Sequence, residues 1–237
     1  TFTKGTATGN PPGNAYFDQA SATYVGWCWD AGTSTASNTD GSITTSVRVN
    51  QTCGFSIATY SFNNNLGSQT LGHGLGVIPD LVIRKDTDIG DDWSVYSKAI
   101  GFTQRAHLEQ SSAFSGTSTF GSASATSSVN RANNMNNGNY VDYSFVSIPG
   151  FSLVSTYTGN GSSDGVFVHC GFRPAFLLAK RTNGTAFWGI VDSARDPHNV
   201  MSKQLYANAT NTESSSDVVD FLSNGFKIRS TSNEFNT

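Results

Sequence analysis

The sequence predicts an all-β protein built from tandem β-sandwich-like domains. Three observations support this fold class. Charged residues make up only 13% of the chain, whereas glycine (24 residues) and aromatic residues (12%) are abundant, a balance that favours turns and strands over helices. Short apolar or alternating runs are separated by turn-forming pairs such as Asn-Gly. Finally, a set of positions recurs at a fixed offset, which indicates an internal repeat.

The repeat is about 95 residues long. Pro79, Lys85, Trp93 and Val95 each have a similar residue 95 positions later, at 174, 180, 188 and 190. The phrase Gly-Phe-Ser at 54–56 also returns at 150–152. Several matched positions in one register, including a tryptophan and a proline, are improbable by chance. The positions that we expect to act as structural anchors are Phe55, Pro79, Lys85, Trp93, Phe151, Pro174, Lys180 and Trp188.

The repeat register divides the chain into three parts. Residues 24–29 resemble residues 140–145, which close the first unit, so residues 1–30 are predicted to be the closing segment of a preceding repeat. Residues 31–149 form the first repeat with a hairpin insertion, and residues 150–237 form a second, truncated repeat that stops before its own closing strand. The sequence is therefore expected to be a piece of a longer repeat protein.

Strand patterns follow one another along the chain. Residues 43–50 alternate between apolar and polar side chains, which is typical of a half-buried strand. Residues 81–83 and 176–178 are short apolar runs after a proline, and Phe226 and Ile228 alternate after an Asn-Gly pair. One helix is predicted over 199–208. The Ser/Asn/Gly-rich stretch 111–139 is predicted to be a long exposed loop or a loose edge hairpin.

Charge and cysteine content exclude several functional classes. The net charge is -3 and no basic block is present, so phosphate-neutralising nucleic-acid binding is not expected. No apolar run is long enough to cross a bilayer, so membrane insertion is not expected either. Cys28, Cys53 and Cys170 are too few and too scattered for a disulfide framework or a zinc motif, and we interpret them as small buried residues.

The aromatic residues offer both structural and binding interpretations. Trp27 and Trp29 would share one face of a strand, and a carbohydrate platform is possible there. The core interpretation is favoured because the matching segment keeps Val141, Tyr143 and Phe145 on that face. Ligand contact is instead predicted at two equivalent loops that combine aromatic and polar groups. The predicted ligand-binding residues are Asp91, Asp92, Trp93, Asn183 and Phe187.

Candidate metal and catalytic groups are sparse. Asp86, Asp88 and Asp91 lie on a loop with Gly90, so a Ca²⁺ site is possible there, beside the simpler interpretation of a solvated acidic turn. No other cofactor is expected. His73 lies in a glycine-rich run without the lysine of a phosphate-binding loop, so an irregular turn is favoured. No catalytic motif is present, and the chain is predicted not to be an enzyme.

The sequence resembles a repeat domain of large virion proteins of marine bacteriophages, especially phages of cyanobacteria. The phrases that carry this resemblance cover nearly the whole chain. They include Tyr24-Val25-Gly26-Trp27-Cys28-Trp29-Asp30, Asn38-Thr39-Asp40-Gly41-Ser42-Ile43, Gly72-His73-Gly74-Leu75-Gly76, Gly171-Phe172-Arg173-Pro174, Val191-Asp192-Ser193-Ala194-Arg195-Asp196 and Phe221-Leu222-Ser223-Asn224-Gly225-Phe226.

The resemblance implies a non-catalytic virion protein located on the extracellular particle. The favoured role is a tail fibre or fibre-like adhesin that contacts a host surface polysaccharide or an outer-membrane receptor. A structural stalk or capsid-decorating protein without receptor contact is the alternative, and a polysaccharide depolymerase is a minor one. The expected partners are other virion subunits, and the class implies a homo-oligomer such as a trimer.

Overall fold

The computed structural model describes residues 21–116, 120–130 and 135–237. These residues form sixteen strands in three antiparallel sheets, which confirms the predicted all-β class. In chain order the strands are β1 (Thr35–Asn38), β2 (Thr45–Asn50), β3 (Phe55–Phe62), β4 (Gln69–Gly72), β5 (Leu81–Asp86), β6 (Ser94–Ser97), β7 (Ala106–His107), β8 (Phe120–Ala123), β9 (Ser127–Asn130), β10 (Gly138–Phe145), β11 (Phe167–His169), β12 (Phe176–Ala179), β13 (Gly189–Asp192), β14 (Met201–Tyr206), β15 (Ser214–Leu222) and β16 (Gly225–Ile228).

The first sheet has seven strands in the order β1-β2-β3-β10-β5-β6-β7. Its centre is the long pairing of β3 with β10, which runs from Phe62 opposite Gly138 to Phe55 opposite Phe145. The alternation predicted at 43–50 is confirmed, because Ile43, Thr45 and Val47 are buried while the residues between them are exposed. The side chains on one face of this strand therefore point into a core, because successive side chains of a strand alternate between the two faces of the sheet.

A smaller sheet of three strands, in the order β4-β9-β8, accompanies the first sheet. Leu71 of β4 packs in one buried cluster with Val47, Tyr60 and other residues of the first sheet. Phe120 of β8 is fully buried and packs against Val82 and Tyr96. Within the stretch predicted as a loose loop or edge hairpin, residues 120–130 form a hairpin of β8 and β9 that supplies a core side chain.

A buried ion pair lies within this first core. Arg84 on β5 and Asp142 on β10 occupy directly opposite positions. The guanidinium donates two hydrogen bonds to the carboxylate, with Nε–Oδ1 at 2.8 Å and Nη2–Oδ2 at 2.7 Å. The Tyr60 hydroxyl donates a third bond to Oδ1 at 3.1 Å. Because both charged groups are paired and hydrogen-bonded, the cost of burying them is offset.

The second large sheet has six strands in the order β11-β16-β15-β14-β13-β12. A two-residue turn, Ser223-Asn224, joins β15 to β16, since Leu222 pairs with Gly225. The inward residues form the largest cluster of the second core, among them Val191, Met201, Phe221 and Ile228. The predicted strands at 176–178 and 226–228 are therefore confirmed.

The two large sheets share a fourth apolar cluster. Val95 and Ala106 of the first sheet pack with Trp188, and Leu81, Ile83 and Leu178 join them. Trp188 also donates its indole N–H to the carbonyl of His107 at 2.9 Å. These contacts join the loop before β13 to the last strand of the first sheet.

Two predictions about local structure are wrong. The helix predicted over 199–208 is instead strand β14, which pairs with β13 and β15; tertiary pairing overrides a weak local pattern. The segment 24–29 is not a strand, and Trp29 is 51% exposed rather than in the core. Its ring lies against Phe145 and Phe176, with centroids 6.1 and 5.9 Å away. No helix in the described part of the chain is long and apolar enough to cross a membrane.

Candidate functional site

The ends of β6 and β7 bring three ionisable side chains together. Ser94 pairs with His107, and the Leu108 N–H donates to the Trp93 carbonyl at 2.9 Å. Continuing this antiparallel register places Asp92 opposite Glu109. Because alternate residues share a face, the side chains of Asp92, His107 and Glu109 converge. We call these three residues the acid–histidine cluster.

Short contacts hold the acid–histidine cluster in place. Asp92 Oδ2 lies 3.4 Å from His107 Nδ1 and accepts a hydrogen bond from Gln110 Nε2 at 2.6 Å. Glu109 Oε2 accepts the Trp93 N–H at 3.0 Å. One ligand atom from each of the three cluster residues lies within 4.8 Å of the other two. Backbone pairing between the ends of β6 and β7 therefore holds these three side chains close together.

The electrostatics of the cluster are those of crowded carboxylates beside a neutral imidazole. Partial desolvation, followed by the interaction with Asp92, raises the pKa of Glu109. Desolvation, followed by the charge of Arg105, lowers the pKa of His107, although Asp92 and Asp91 act in the opposite direction. A neutral imidazole is the form that binds a metal ion, and two adjacent carboxylates are stabilised by a cation.

An aromatic pair lies one residue along the chain from the cluster, with its rings on the opposite face, because Trp93 directly follows Asp92 and adjacent side chains alternate between faces. The rings of Trp93 and Tyr143 are stacked with their centroids 6.2 Å apart and their planes at 27°. Both residues are half-buried, while neighbouring Asp91 is exposed. Asp91, two residues before Trp93, shares the face of the stack, so the rings and this carboxylate can contact the apolar face and the hydroxyl groups of a sugar at the same time.

The acidic residues expected to bind Ca²⁺ are held apart by other contacts. Asp86 is buried, and its Oδ1 accepts the Asp88 N–H at 2.9 Å. The Asp88 carboxylate accepts hydrogen bonds from the backbone N–H and the side-chain amide of Asn139 at 2.9 and 3.1 Å. These bonds attach the acidic loop to β10. Asp91 accepts the N–H of Asp92 at 2.8 Å. Among described residues, the one group with metal-ligand spacing is the acid–histidine cluster.

The second predicted contact loop has a different character. Asn183 Oδ1 accepts a hydrogen bond from Arg181 Nε at 3.1 Å, which fixes the turn. Phe187 is 36% exposed, and its ring packs against Tyr206 with centroids 4.9 Å apart and planes tilted by 50°. Because the next residue, Trp188, bonds to His107, the structure places this loop alongside the acid–histidine cluster.

The structural anchors occupy varied environments. Phe55, Pro79, Pro174 and Trp188 are buried, and Lys85 and Lys180 are half-buried. Phe151 is 59% exposed, because residues 151–158 do not form a strand as β3 does. His73 is fully buried; its Nδ1 accepts the Leu75 N–H at 3.3 Å, which fits a structural turn.

A shallow groove crosses the exposed face of β1, β2, β3 and β10. Its volume is about 630 Å³. Its walls are mostly hydroxyl and amide side chains, which can bond to neutral polar groups. The lining residues include Thr35, Ser37, Thr44, Ser46, Thr59, Ser61, Thr87 and Asn139.

Sequence reasoning missed three residues of this region. His107, Glu109 and Tyr143 lie 15, 17 and 51 residues from Asp92 along the chain, so spacing did not connect them. The pairing of β7, a strand of two residues, brings the first two into the site. A short strand of this kind leaves no clear periodic signal.

Comparison with known proteins gives one assignment. No curated protein and no solved structure matches the chain significantly. A family model described as a domain of unknown function, DUF7483, matches residues 2–237. The match spans nearly the entire sequence and therefore both large sheets. The chain thus belongs to the DUF7483 family.

Proposed function

We propose that this chain is a non-catalytic attachment module of a bacteriophage particle, acting in a tail fibre or fibre-like adhesin that contacts a host surface polymer. The observation that carries the proposal is the half-buried Trp93–Tyr143 stack with the exposed Asp91 two residues before Trp93. Aromatic faces next to hydrogen-bonding groups are the usual means of binding sugars. The phage-like sequence phrases support the virion location.

Attachment is tested by binding of the purified chain to host cells and to surface polysaccharide. Trp93→Ala removes one ring of the stack, and we expect at least a tenfold loss of affinity, equivalent to about 1.4 kcal/mol. Phe151→Ala is the matched control, since Phe151 is an exposed aromatic outside the stack. Equal binding by the parent and the Trp93 variant would refute this site.

A structural stalk or capsid-decorating role is the second candidate. Phe151 and Leu153 are 59% and 43% exposed and lie close together in the chain, so they offer an apolar contact for another virion subunit or for a second copy. Light scattering that shows a trimer lost on Phe151→Ser, with no binding to cells, would favour this role.

A depolymerase, the minor alternative, would release sugar fragments from the polysaccharide, and Asp92 and Glu109 are the carboxylates to substitute.

We also propose that the two large sheets arose from a duplicated unit of about 95 residues. The hairpin β5–β6 pairs Leu81 with Ser97 and Ile83 with Val95. The hairpin β12–β13 pairs the residues 95 positions later, Phe176 with Asp192 and Leu178 with Ile190. Two hairpins with the same register at the repeat offset support a common origin.

Side-chain and topological details support the duplication as well. Trp93 N–H donates to Glu109, and Trp188 N–H donates to Asn208 Oδ1 at 2.8 Å. Each anchor lysine donates to the carbonyl of the residue that follows it, at 2.6 Å for Lys85 and 3.0 Å for Lys180. The order β4-β9-β8 also matches β11-β16-β15 in the second sheet.

A further inference from the structure

We propose that the acid–histidine cluster binds one divalent transition-metal ion of the zinc type. Asp92, His107 and Glu109 each offer one ligand atom, and the three atoms lie within 4.8 Å of one another. One imidazole nitrogen with two carboxylate oxygens matches zinc-type ions, and three protein ligands leave a position open for water or a ligand. Ca²⁺ prefers six to eight oxygen ligands, which this set does not supply.

An unpaired nitrogen of the His107 imidazole is a second observation that supports this assignment. His107 Nδ1 is buried and accepts or donates no hydrogen bond of regular geometry, although Asp92 Oδ2 lies 3.4 Å away. The charged groups that act on the imidazole are Asp91, Asp92 and Arg105. A cation between His107 and Asp92 would satisfy a buried nitrogen that otherwise carries a desolvation cost.

The equivalent ends of β13 and β14 in the second sheet show that the fold does not require this cluster. Asn208 supplies the backbone cap there, as Glu109 does in the first sheet. In place of Asp92 and His107, however, the second sheet has the packed rings of Phe187 and Tyr206, with centroids 4.9 Å apart. An apolar pair is therefore sufficient for stability at this position, and the ionisable pair in the first sheet calls for a different explanation.

The test is calorimetric titration with Zn²⁺ in a Cys28→Ser background, because Cys28 is an exposed thiol that would bind zinc. We expect one saturable site per chain. His107→Gln should weaken binding by about 100-fold or more, since even outer-shell changes cost 10- to 100-fold. Glu109→Gln keeps an oxygen that can accept the Trp93 N–H, and Asp92→Asn keeps one that can accept the Gln110 amide. Both variants should also weaken Zn²⁺ binding.

His198→Gln is the matched control, because His198 is exposed and lies outside the cluster. This variant should bind Zn²⁺ like the parent, and circular dichroism should show that all variants are folded. The proposal is overturned by an absence of saturable binding, by unchanged binding in His107→Gln, by an equal loss in His198→Gln, or by tighter binding of Ca²⁺ than of Zn²⁺.

A second, independent observation concerns the free edge of β12, and it rests on the duplication proposed above. In the first sheet β10 pairs with the outer edge of β5. In the second sheet β12, the counterpart of β5, is the last strand, and no described strand pairs with its outer edge. We propose that the chain's own segment 24–29 adds to this edge as an antiparallel strand.

The sequence of segment 24–29 fits the edge position by position. If Trp29 stands opposite Phe176, as Phe145 stands opposite Leu81, Gly26 faces Ala179. These two residues replace Asp142 and Arg84, so both partners of the buried ion pair are absent together and no buried charge is left unpaired. The rings of Trp27 and Trp29 already contact Phe176, with centroids 5.7 and 5.9 Å away.

This register is tested with a native thiol. Cys28 would stand opposite Leu177, as Ser144 stands opposite Val82, and the Cα atoms of such a pair are close enough for a disulfide. Leu177→Cys should therefore give an oxidised monomer whose peptides 28 and 177 are linked. Leu178→Cys, one residue out of register, should remain unlinked.

Other outcomes would overturn the strand addition. A linked dimer would show that the edge accepts the segment of a second copy instead. The absence of a link in Leu177→Cys, or equal linking in Leu178→Cys, would refute the register. Because binding to host cells is measured separately, neither result depends on the attachment proposal.

Discussion

The ion pair between Arg84 and Asp142 allows a quantitative test of how the first core is stabilised. The two side chains are only 3% and 1% exposed, and the guanidinium lies over the rings of Tyr60, Tyr96 and Phe120 at 5.3 to 5.9 Å. Asp142→Asn keeps the size of the side chain but leaves the Arg84 charge without a counter-ion. Breaking a buried pair in this way costs about 3–5 kcal/mol.

The assay is urea unfolding followed by tryptophan fluorescence and circular dichroism. Lys98→Met is the matched control, because the Lys98–Asp80 pair at 3.2 Å has a lysine that is 51% exposed. An exposed pair of this kind contributes about 0–1 kcal/mol. The double variant Arg84→Met/Asp142→Asn should recover part of the lost stability, since no buried charge remains. A loss below about 1 kcal/mol for Asp142→Asn would refute the reasoning.

Three further predictions concern the second sheet. Phe221→Ala, at a fully buried core position, should lower the free energy of unfolding by about 3–5 kcal/mol, measured by urea denaturation; a loss below about 1 kcal/mol would mean that the core collapses around the gap. Trp188→Phe removes the bond to the His107 carbonyl and should cost about 1–3 kcal/mol, and faster amide exchange at Ala106 should accompany the loss. Burial, and after it the charge of Arg181, lowers the pKa of Lys180 to about 8. Between pH 8 and about 10.4 the unfolded chain therefore binds more protons than the folded chain, so the free energy of unfolding rises with pH across that window. Lys180→Met should lack this rise when unfolding midpoints at pH 7.5 and 10 are compared, and an identical slope in both proteins would contradict the assignment.

The local strand patterns were predictable because each depends on neighbouring residues. The alternation in β2 and the apolar runs of β5 and β12 appear where the sequence placed them. The turn before β16 falls at Ser223-Asn224, one residue before the predicted Asn-Gly pair. Alternation and turn chemistry are encoded over a few residues. The strand β14 was missed because its burial pattern is irregular, and pairing on both sides determines its conformation.

The candidate site was predictable in part. Trp93, Asp91 and Asp92 were chosen for their loop position, and in the structure Asp92 belongs to the acid–histidine cluster while Trp93 follows it in the chain. The histidine and glutamate of the cluster were not predicted, since their approach to Asp92 depends on β7 pairing with β6. Likewise, the opposition of Arg84 and Asp142 depends on the antiparallel register of β5 and β10.

By itself, the sequence determined the all-β class, the main strands and the matched positions 95 residues apart. These features depend on composition and on short periods, which the chain carries locally. Only the tertiary structure decided which carboxylates meet, which histidine joins them and which strand edge stays free. Those outcomes depend on pairing between distant segments, and the register of such pairing is fixed by the packing of whole sheets.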